Sequence, residues 1–331
     1  MRAWLLDAPG SQLRLGHLPD PEPGPGQWLV RVRFCGLNPV DWKLAASGHP
    51  DWVWPQVLGL DVVGEVVGTG VDAPPPPAGL IAAHLNLAQR GGLAEYVTLT
   101  PGVTAALPAG LDPWTAATLP CPGLTAWQAV GRIADILGRA GHSRRALVLG
   151  GGGPVGSLAV QLLVQQGAQV AATCSATDRA RVHDLGAIWT ADYHNPQALP
   201  ELVTAAGGPF ACVVNTATPQ AAEDALPLVE FTGALASITG RPHASEVPEF
   251  TLAPTLVEVA LGAIHSHGTH DQQAAFGDAL HRLLNVVDQG RLTAPQATVV
   301  PMTDVADTLT KMSHSTGSKY VVEVIAGENE F

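Results

Sequence analysis

Gly151, Gly153 and Gly156 satisfy the spacing G-x-G-x-x-G inside LVLGGGGPVGSLAVQLL, residues 147 to 163. They follow the short apolar run RALVL directly and open a longer apolar stretch with helical period. Between a strand and a helix, the first glycine permits a tight turn and the second lets a pyrophosphate touch the backbone. The third lets helix and strand pack closely. Pro154 and Val155 begin the helix, whose N-terminal N–H groups then face an anion. A glycine-rich turn with no ligand has the same local spelling, so the surrounding elements must decide.

Roughly 20 residues beyond such a loop, an Asp or Glu takes the ribose 2′-hydroxyl of NAD. Here the run AATCSATDRAR places Thr173, Cys174 and Ser175 at that point. Ser175, Thr177 and Arg179 suit a 2′-phosphate, which a carboxylate would repel, so NADPH is the expected cofactor. Ser175 or Thr177 also fits a helix cap, with Arg179 solvated, and a capped helix start is itself compatible with a phosphate.

The elements that must hold this loop are legible on both sides of it. RALVLG, AQVAATC, AIWTAD, FACVVNT, GALASIT and VALGAIHSHG read as six strands, with helical segments between them. That alternation predicts a doubly wound parallel sheet, an α/β Rossmann domain over 123–269. Residues 1–122 differ: QWLVRVRF, DVVGEVVG and LAEYVTLT alternate over short runs between Pro and Gly clusters, as a compact all-β unit does. Residues 270–331 end in the strand KYVVEVI and add no second strand-helix series, so they are assigned to the first domain. VDAPPPPAG is a stiff surface loop.

Composition excludes several classes. A formal net charge of -12 argues against a nucleic-acid partner. No run reaches the roughly 18 apolar residues of a membrane span, and MRAWLLDAPGSQLRLG lacks a signal-peptide pattern, so a cytoplasmic protein with no membrane partner is expected. Cys35, Cys121, Cys174 and Cys212 are far apart and show no metal-ligand spacing; they read as core residues of a reducing compartment.

GLNPVDWKLAASG, PQVLGLDVVGEVVGTG, GGLAEYVTL, LPCPGLTAWQAV, GGGGPVGSLAVQL and GSKYVVEVI, taken together, resemble the medium-chain dehydrogenase/reductase superfamily over nearly the whole chain. The nearest resemblance is to its zinc-independent quinone oxidoreductase and enone reductase branch. It implies a GroES-like β-barrel domain beside the Rossmann domain, an active site in the cleft, and a homodimer through the last Rossmann strand. Zinc alcohol dehydrogenases carry a cysteine where this chain has Asn38, and a His-Glu pair where it has Leu60-Asp61. No metal is therefore expected.

The resemblance also assigns residues. Asn38 would lie at the nicotinamide end, with Asp41 and Lys43 on the same loop as catalytic groups or as a structural ion pair or cap. Thr125 matches a threonine near the nicotinamide, and Tyr193 would approach the adenosine end or simply pack. Asn215, Thr216, His265 and Ser266 would border the cofactor, and Lys319 matches the lysine of a closing motif that Ser318 interrupts. His84 would donate a proton to an enolate or serve as a structural core histidine. Trp52 and Trp54 would line an apolar pocket or cover the barrel.

Without zinc, the acceptor must be a good electrophile already, such as a quinone or an α,β-unsaturated carbonyl. An enoyl-thioester reductase, an alcohol dehydrogenase-like enzyme and a non-catalytic NADPH-binding protein are the competing functions. A chain with only three lysines offers little for the acidic carrier of a thioester.

Overall fold

The alternation in QWLVRVRF becomes the strand Trp28–Leu37, which turns Trp28, Val30 and Val32 inward and leaves Leu29, Arg31 and Arg33 half-exposed. A computed structural model of the chain describes residues 1–139, 141–241, 243, 247–314 and 317–324. Two compact units emerge, Met1–Leu124 with Gly262–Phe331 and Thr125–Leu261.

In the first unit, strands run in the order Ala297–Pro301, Lys319–Glu323, Trp28–Leu37, Asp61–Thr69, Leu80–His84 and Thr104–Ala106, with Tyr96–Leu99 also paired to Trp28–Leu37. The long strand changes register against Asp61–Thr69 at two places, Leu29/Val30 and Val32/Phe34. Gly64 lies between them, where a Cβ would stand 2.3 Å from the Arg31 carbonyl oxygen. The irregularity thus requires glycine there. Leu5, Leu6, Val30, Val32, Val62, Ile81 and Val322 fill the core, each fully buried side chain of this size contributing about 1.5–3 kcal/mol. Trp28 donates its indole N–H to the Pro74 carbonyl at 2.7 Å, tying the proline loop to the sheet. Ile325, at the end of the expected last strand, lies outside the described residues.

The second unit holds six parallel strands in the order Trp189–Asp192, Gln169–Cys174, Arg145–Leu149, Phe210–Asn215, Val229–Ser237 and Thr255–Glu258. Phe210–Asn215 is buried at every position, as a central strand covered on both faces must be. The chain order reverses between Arg145–Leu149 and Phe210–Asn215, the point at which open α/β sheets bind ligands beyond the carboxyl ends of their strands. Helix Pro154–Gln165 buries Leu158, Ala159, Val160 and Leu163 and ends before Gly167, whose φ is +76°.

Two boundaries differ from the sequence expectation. The sixth strand is Thr255–Glu258, and VALGAIHSHG instead contains a 3-10 turn, Leu261–Ala263, and a short helix, Ile264–His267. Its apolar spelling matches a strand, but Leu261 and Ile264 are spaced for one helical face. Residues 262–269 consequently belong to the first unit, not to the second as the limits 123 and 269 imply. No helix among the described residues is long and apolar enough to cross a membrane.

Candidate functional site

Strand register aligns a row of polar side chains at one end of the first unit's sheet. Leu37 pairs with Tyr320, Gly36 with Asp61, and Asp61 with His84. Lys319, Asp61 and His84 therefore stand at the ends of three strands, Asn38 directly follows the end of Trp28–Leu37, and all four are buried. The Lys319 ammonium donates to Asn38 Oδ1 at 2.7 Å and to Asp61 Oδ2 at 3.3 Å. Asn38 Nδ2 donates to the same Asp61 oxygen at 2.8 Å, and the Cys121 backbone N–H reaches Asp61 Oδ1 at 2.9 Å. Burial pushes the Asp61 carboxyl above its usual range, opposed by the Lys319 charge and by these N–H groups.

Asp41 lies one layer back. Its Oδ2 accepts the Asn38 backbone N–H at 2.7 Å and its Oδ1 that of Gly59 at 3.2 Å. This is the acidic half of a capping box on helix Pro39–Ser47; the Asn38 side chain turns to Lys319 and Asp61 instead. Asp41 thus positions Asn38 through its backbone. Burial, reinforced by the Asp61 charge and opposed by the Asn38 N–H, raises its carboxyl to about 7. A raised carboxyl favours the protonated folded state, so its contribution to stability is complete below the ordinary pKa and fades as pH rises towards 7. We expect the stability of Asp41→Asn, relative to the parent, to improve between pH 4 and 7, and thermal unfolding across that range measures it.

His84 Nδ1 and His265 Nε2 stand 3.1 Å apart, one ring nitrogen donating and the other accepting. Burial, then the Lys319 charge, lowers His84 to about 4; burial, then His84, lowers His265 to about 4. Both imidazoles are neutral at pH 7, and the sense of their linkage is opposite to that of Asp41, stability being lost as pH falls from 6.5 towards 4. An acid for catalysis works best with a pKa near the working pH, which His84 lacks here. His265, expected beside the cofactor, is the partner of His84, and Ser266 is exposed on the same short helix. Trp52 is buried, with its indole N–H on the Leu87 carbonyl at 2.7 Å, and Trp54 packs against it edge-on.

In the second unit the glycine loop follows strand Arg145–Leu149. Gly150 has φ +82°, and its N–H reaches Thr173 Oγ1 at 3.0 Å, so Thr173 is a loop support. A Cβ on Gly156 would stand 2.1 Å from the Gly150 carbonyl oxygen, whereas one on Gly153 would meet only that oxygen, at 3.5 Å. Gly156 is therefore required by packing. Gly153 leaves open space at the N-terminus of helix Pro154–Gln165, which suits a pyrophosphate. Thr216 closes the other side, its hydroxyl on the Leu149 carbonyl at 2.7 Å. Asn215 donates to Thr218, Ser237 and Thr239 and orders the loop after its strand. Thr125 is buried in helix Pro120–Gly131, and Tyr193 is half-exposed against the His194 ring.

Ser175 caps the next turn, accepting from the Asp178 N–H at 3.2 Å and donating to Asp178 Oδ2 at 2.7 Å. Asp178 pairs with Arg181 at 2.6 Å, and Arg181 also braces the Gly152 carbonyl. Sequence reasoning did not single out Arg181, and only the i, i+3 spacing from Asp178 signals it. Arg179 is exposed and forms no hydrogen bond or ion pair among the described residues.

Among the described residues, Asp61, His84 and Cys121 present possible metal ligands within 4.8 Å of one another. The donor types suit a transition metal. The charge balance does not, because the Asp61 carboxylate already faces the Lys319 ammonium. Cys35, Cys174 and Cys212 are buried core thiols held above their ordinary range, Cys212 at about 12.

Comparison with known proteins agrees with this architecture. The family model "Alcohol dehydrogenase GroES-like domain" matches residues 24–109, and "Zinc-binding dehydrogenase" matches residues 154–283. The chain is 33% identical over 233 residues to a chloroplast envelope quinone oxidoreductase homolog of Arabidopsis thaliana, covering 69% of this chain and 70% of that one. It is 35% identical over 195 residues to the mitochondrial NAD(P)H oxidoreductase RTN4IP1 of Drosophila melanogaster, spanning 53% of this chain and about half, 47%, of that protein. A solved alcohol dehydrogenase superfamily protein from Novosphingobium aromaticivorans superposes with a TM-score of 0.86 at 25% identity, covering 98% of this chain and 100% of its own. With the sheet order, the glycine loop and these matches in agreement, the chain belongs to the medium-chain dehydrogenase/reductase superfamily.

Proposed function

We propose that this protein is an NADPH-dependent, zinc-independent oxidoreductase that reduces a quinone or an α,β-unsaturated carbonyl. The observation that carries the proposal is the glycine loop, with Gly153 half-buried and uncrowded at a helix N-terminus and Gly156 packed on Gly150. When bound, NADPH supplies the hydride. Gly153 and the first turn of helix Pro154–Gln165 hold its pyrophosphate. A conjugated acceptor spreads over its own π-system the negative charge that the hydride brings. Names of relatives support the same acceptor class.

The preference for NADPH rests on Arg179, exposed and without a hydrogen bond or ion pair among the described residues, which follows in sequence Ser175 and Thr177, whose hydroxyls lie 2.9 Å apart. Arg179→Ala is expected to lower the NADPH over NADH ratio of kcat/KM by roughly 10- to 100-fold, the equivalent of about 1.5–3 kcal/mol for a hydrogen bond to a charged group. Unchanged selectivity would remove Arg179 from the site. We also place a homodimer contact on the outer edge of Thr255–Glu258, which has no strand neighbour among the described residues. Sedimentation at twice the 34.2 kDa chain mass is the expected result.

A panel of acceptors tests the activity. NADPH oxidation with a quinone or a conjugated enone, unaffected by chelator and absent with a saturated ketone, is expected. Turnover confined to enoyl thioesters would assign that class instead, and turnover of simple alcohols would contradict the proposal.

A further inference from the structure

We propose that the Lys319 ammonium holds the place of a divalent metal, and that it keeps Asp61, His84 and Cys121 from binding one. Asp61 and His84, at paired positions of two adjacent strands, and Cys121, in helix Pro120–Gly131, bring their donor atoms within 4.8 Å of one another, and a carboxylate, an imidazole and a thiolate are donor types that a transition metal takes. Lys319 begins a strand that is separated from the Asp61 strand by Trp28–Leu37, and it reaches past that strand to set its ammonium 3.3 Å from Asp61 Oδ2, with its side chain 2% exposed. A metal on that carboxylate would set two buried cations side by side, which the low-dielectric interior disfavours. Asn38 fixes the lysine by accepting from it at 2.7 Å while donating to Asp61 at 2.8 Å, so one amide orients both members of the ion pair.

The inference concerns one of only three lysines in the chain and does not depend on which acceptor is reduced. Its test is spectroscopic. The purified parent protein and the variants Lys319→Met and Lys319→Gln are titrated with Co²⁺, following thiolate-to-cobalt absorption and thermal unfolding. The parent is expected to show no such band. Each variant is expected to take one Co²⁺ per chain, at least about 100-fold more tightly than the parent, with a band that Cys121→Ser abolishes and with Co²⁺ raising its melting temperature. Lys319→Gln keeps a hydrogen bond to Asn38 without the charge and guards against misfolding of the methionine variant. A Cys121-dependent cobalt band in the parent would overturn the proposal. So would two variants that fold without binding Co²⁺, or that stay unfolded even with Co²⁺ present, since the ion should then replace the missing charge.

Discussion

Gly153→Ala and Gly156→Ala should separate cofactor binding from folding. At Gly156 a methyl group would lie 2.1 Å from the Gly150 oxygen and 2.8 Å from its carbon, so the helix or the loop must move. A cost of about 3 kcal/mol or more is expected, at the upper end of overpacking effects, because the obstacle is backbone. The melting temperature should fall and NADPH binding should weaken by more than about 100-fold. At Gly153 the new methyl meets only the Gly150 oxygen, at an ordinary 3.5 Å. Its melting temperature should therefore stay close to the parent's while NADPH binding, followed by fluorescence titration, still weakens. Equal binding by Gly153→Ala and the parent would show that no pyrophosphate sits at that glycine.

The second large effect lies at the other site. Lys319→Met leaves the Asp61 carboxylate fully buried opposite a methyl group, and breaking one side of a buried pair costs about 3–5 kcal/mol. Adding Asp61→Asn removes the uncompensated charge and keeps an acceptor for the Cys121 N–H, while its NH2 faces Asn38, whose amide oxygen no longer has the Lys319 ammonium to accept from. The double variant should recover most of the loss in denaturant unfolding. If Lys319→Met and the double variant are equally unstable, the lysine acts through packing and not through its charge.

How much of this was legible in the sequence depends on how local each feature is. The glycine loop, the strand before it and the helix after it are contiguous, and they were read directly from RALVLGGGGPVGSLAVQLL. Asn38 and Asp61 stood out only as departures from a zinc pattern. Their common partner, Lys319, lies 258 residues from Asp61 and meets it because Lys319–Glu323 pairs with Trp28–Leu37 in one register. Neither periodicity nor spacing encodes a register between strands so far apart, which is why the Lys319–Asp61 pair is not legible in the sequence. The pairing of His265 with His84 is hidden for a similar reason. The apolar run around His265 matches a strand, but the short helix Ile264–His267 carries it to His84 within the first unit. Ser175 shows the reverse case, since its cap on Asp178 is local and was foreseen as an alternative to phosphate binding.

The measurement that tests the central claim most directly is the fate of the hydride itself. NADPH carrying deuterium at the transferable position of the nicotinamide is incubated with the protein and a conjugated enone in a single turnover, and the product is examined by mass spectrometry and NMR. Transfer of one deuterium to the β-carbon of the enone, at the same rate after chelator treatment, is the result predicted. Bound NADPH that retains its deuterium beside unreacted enone and quinone alike would contradict it.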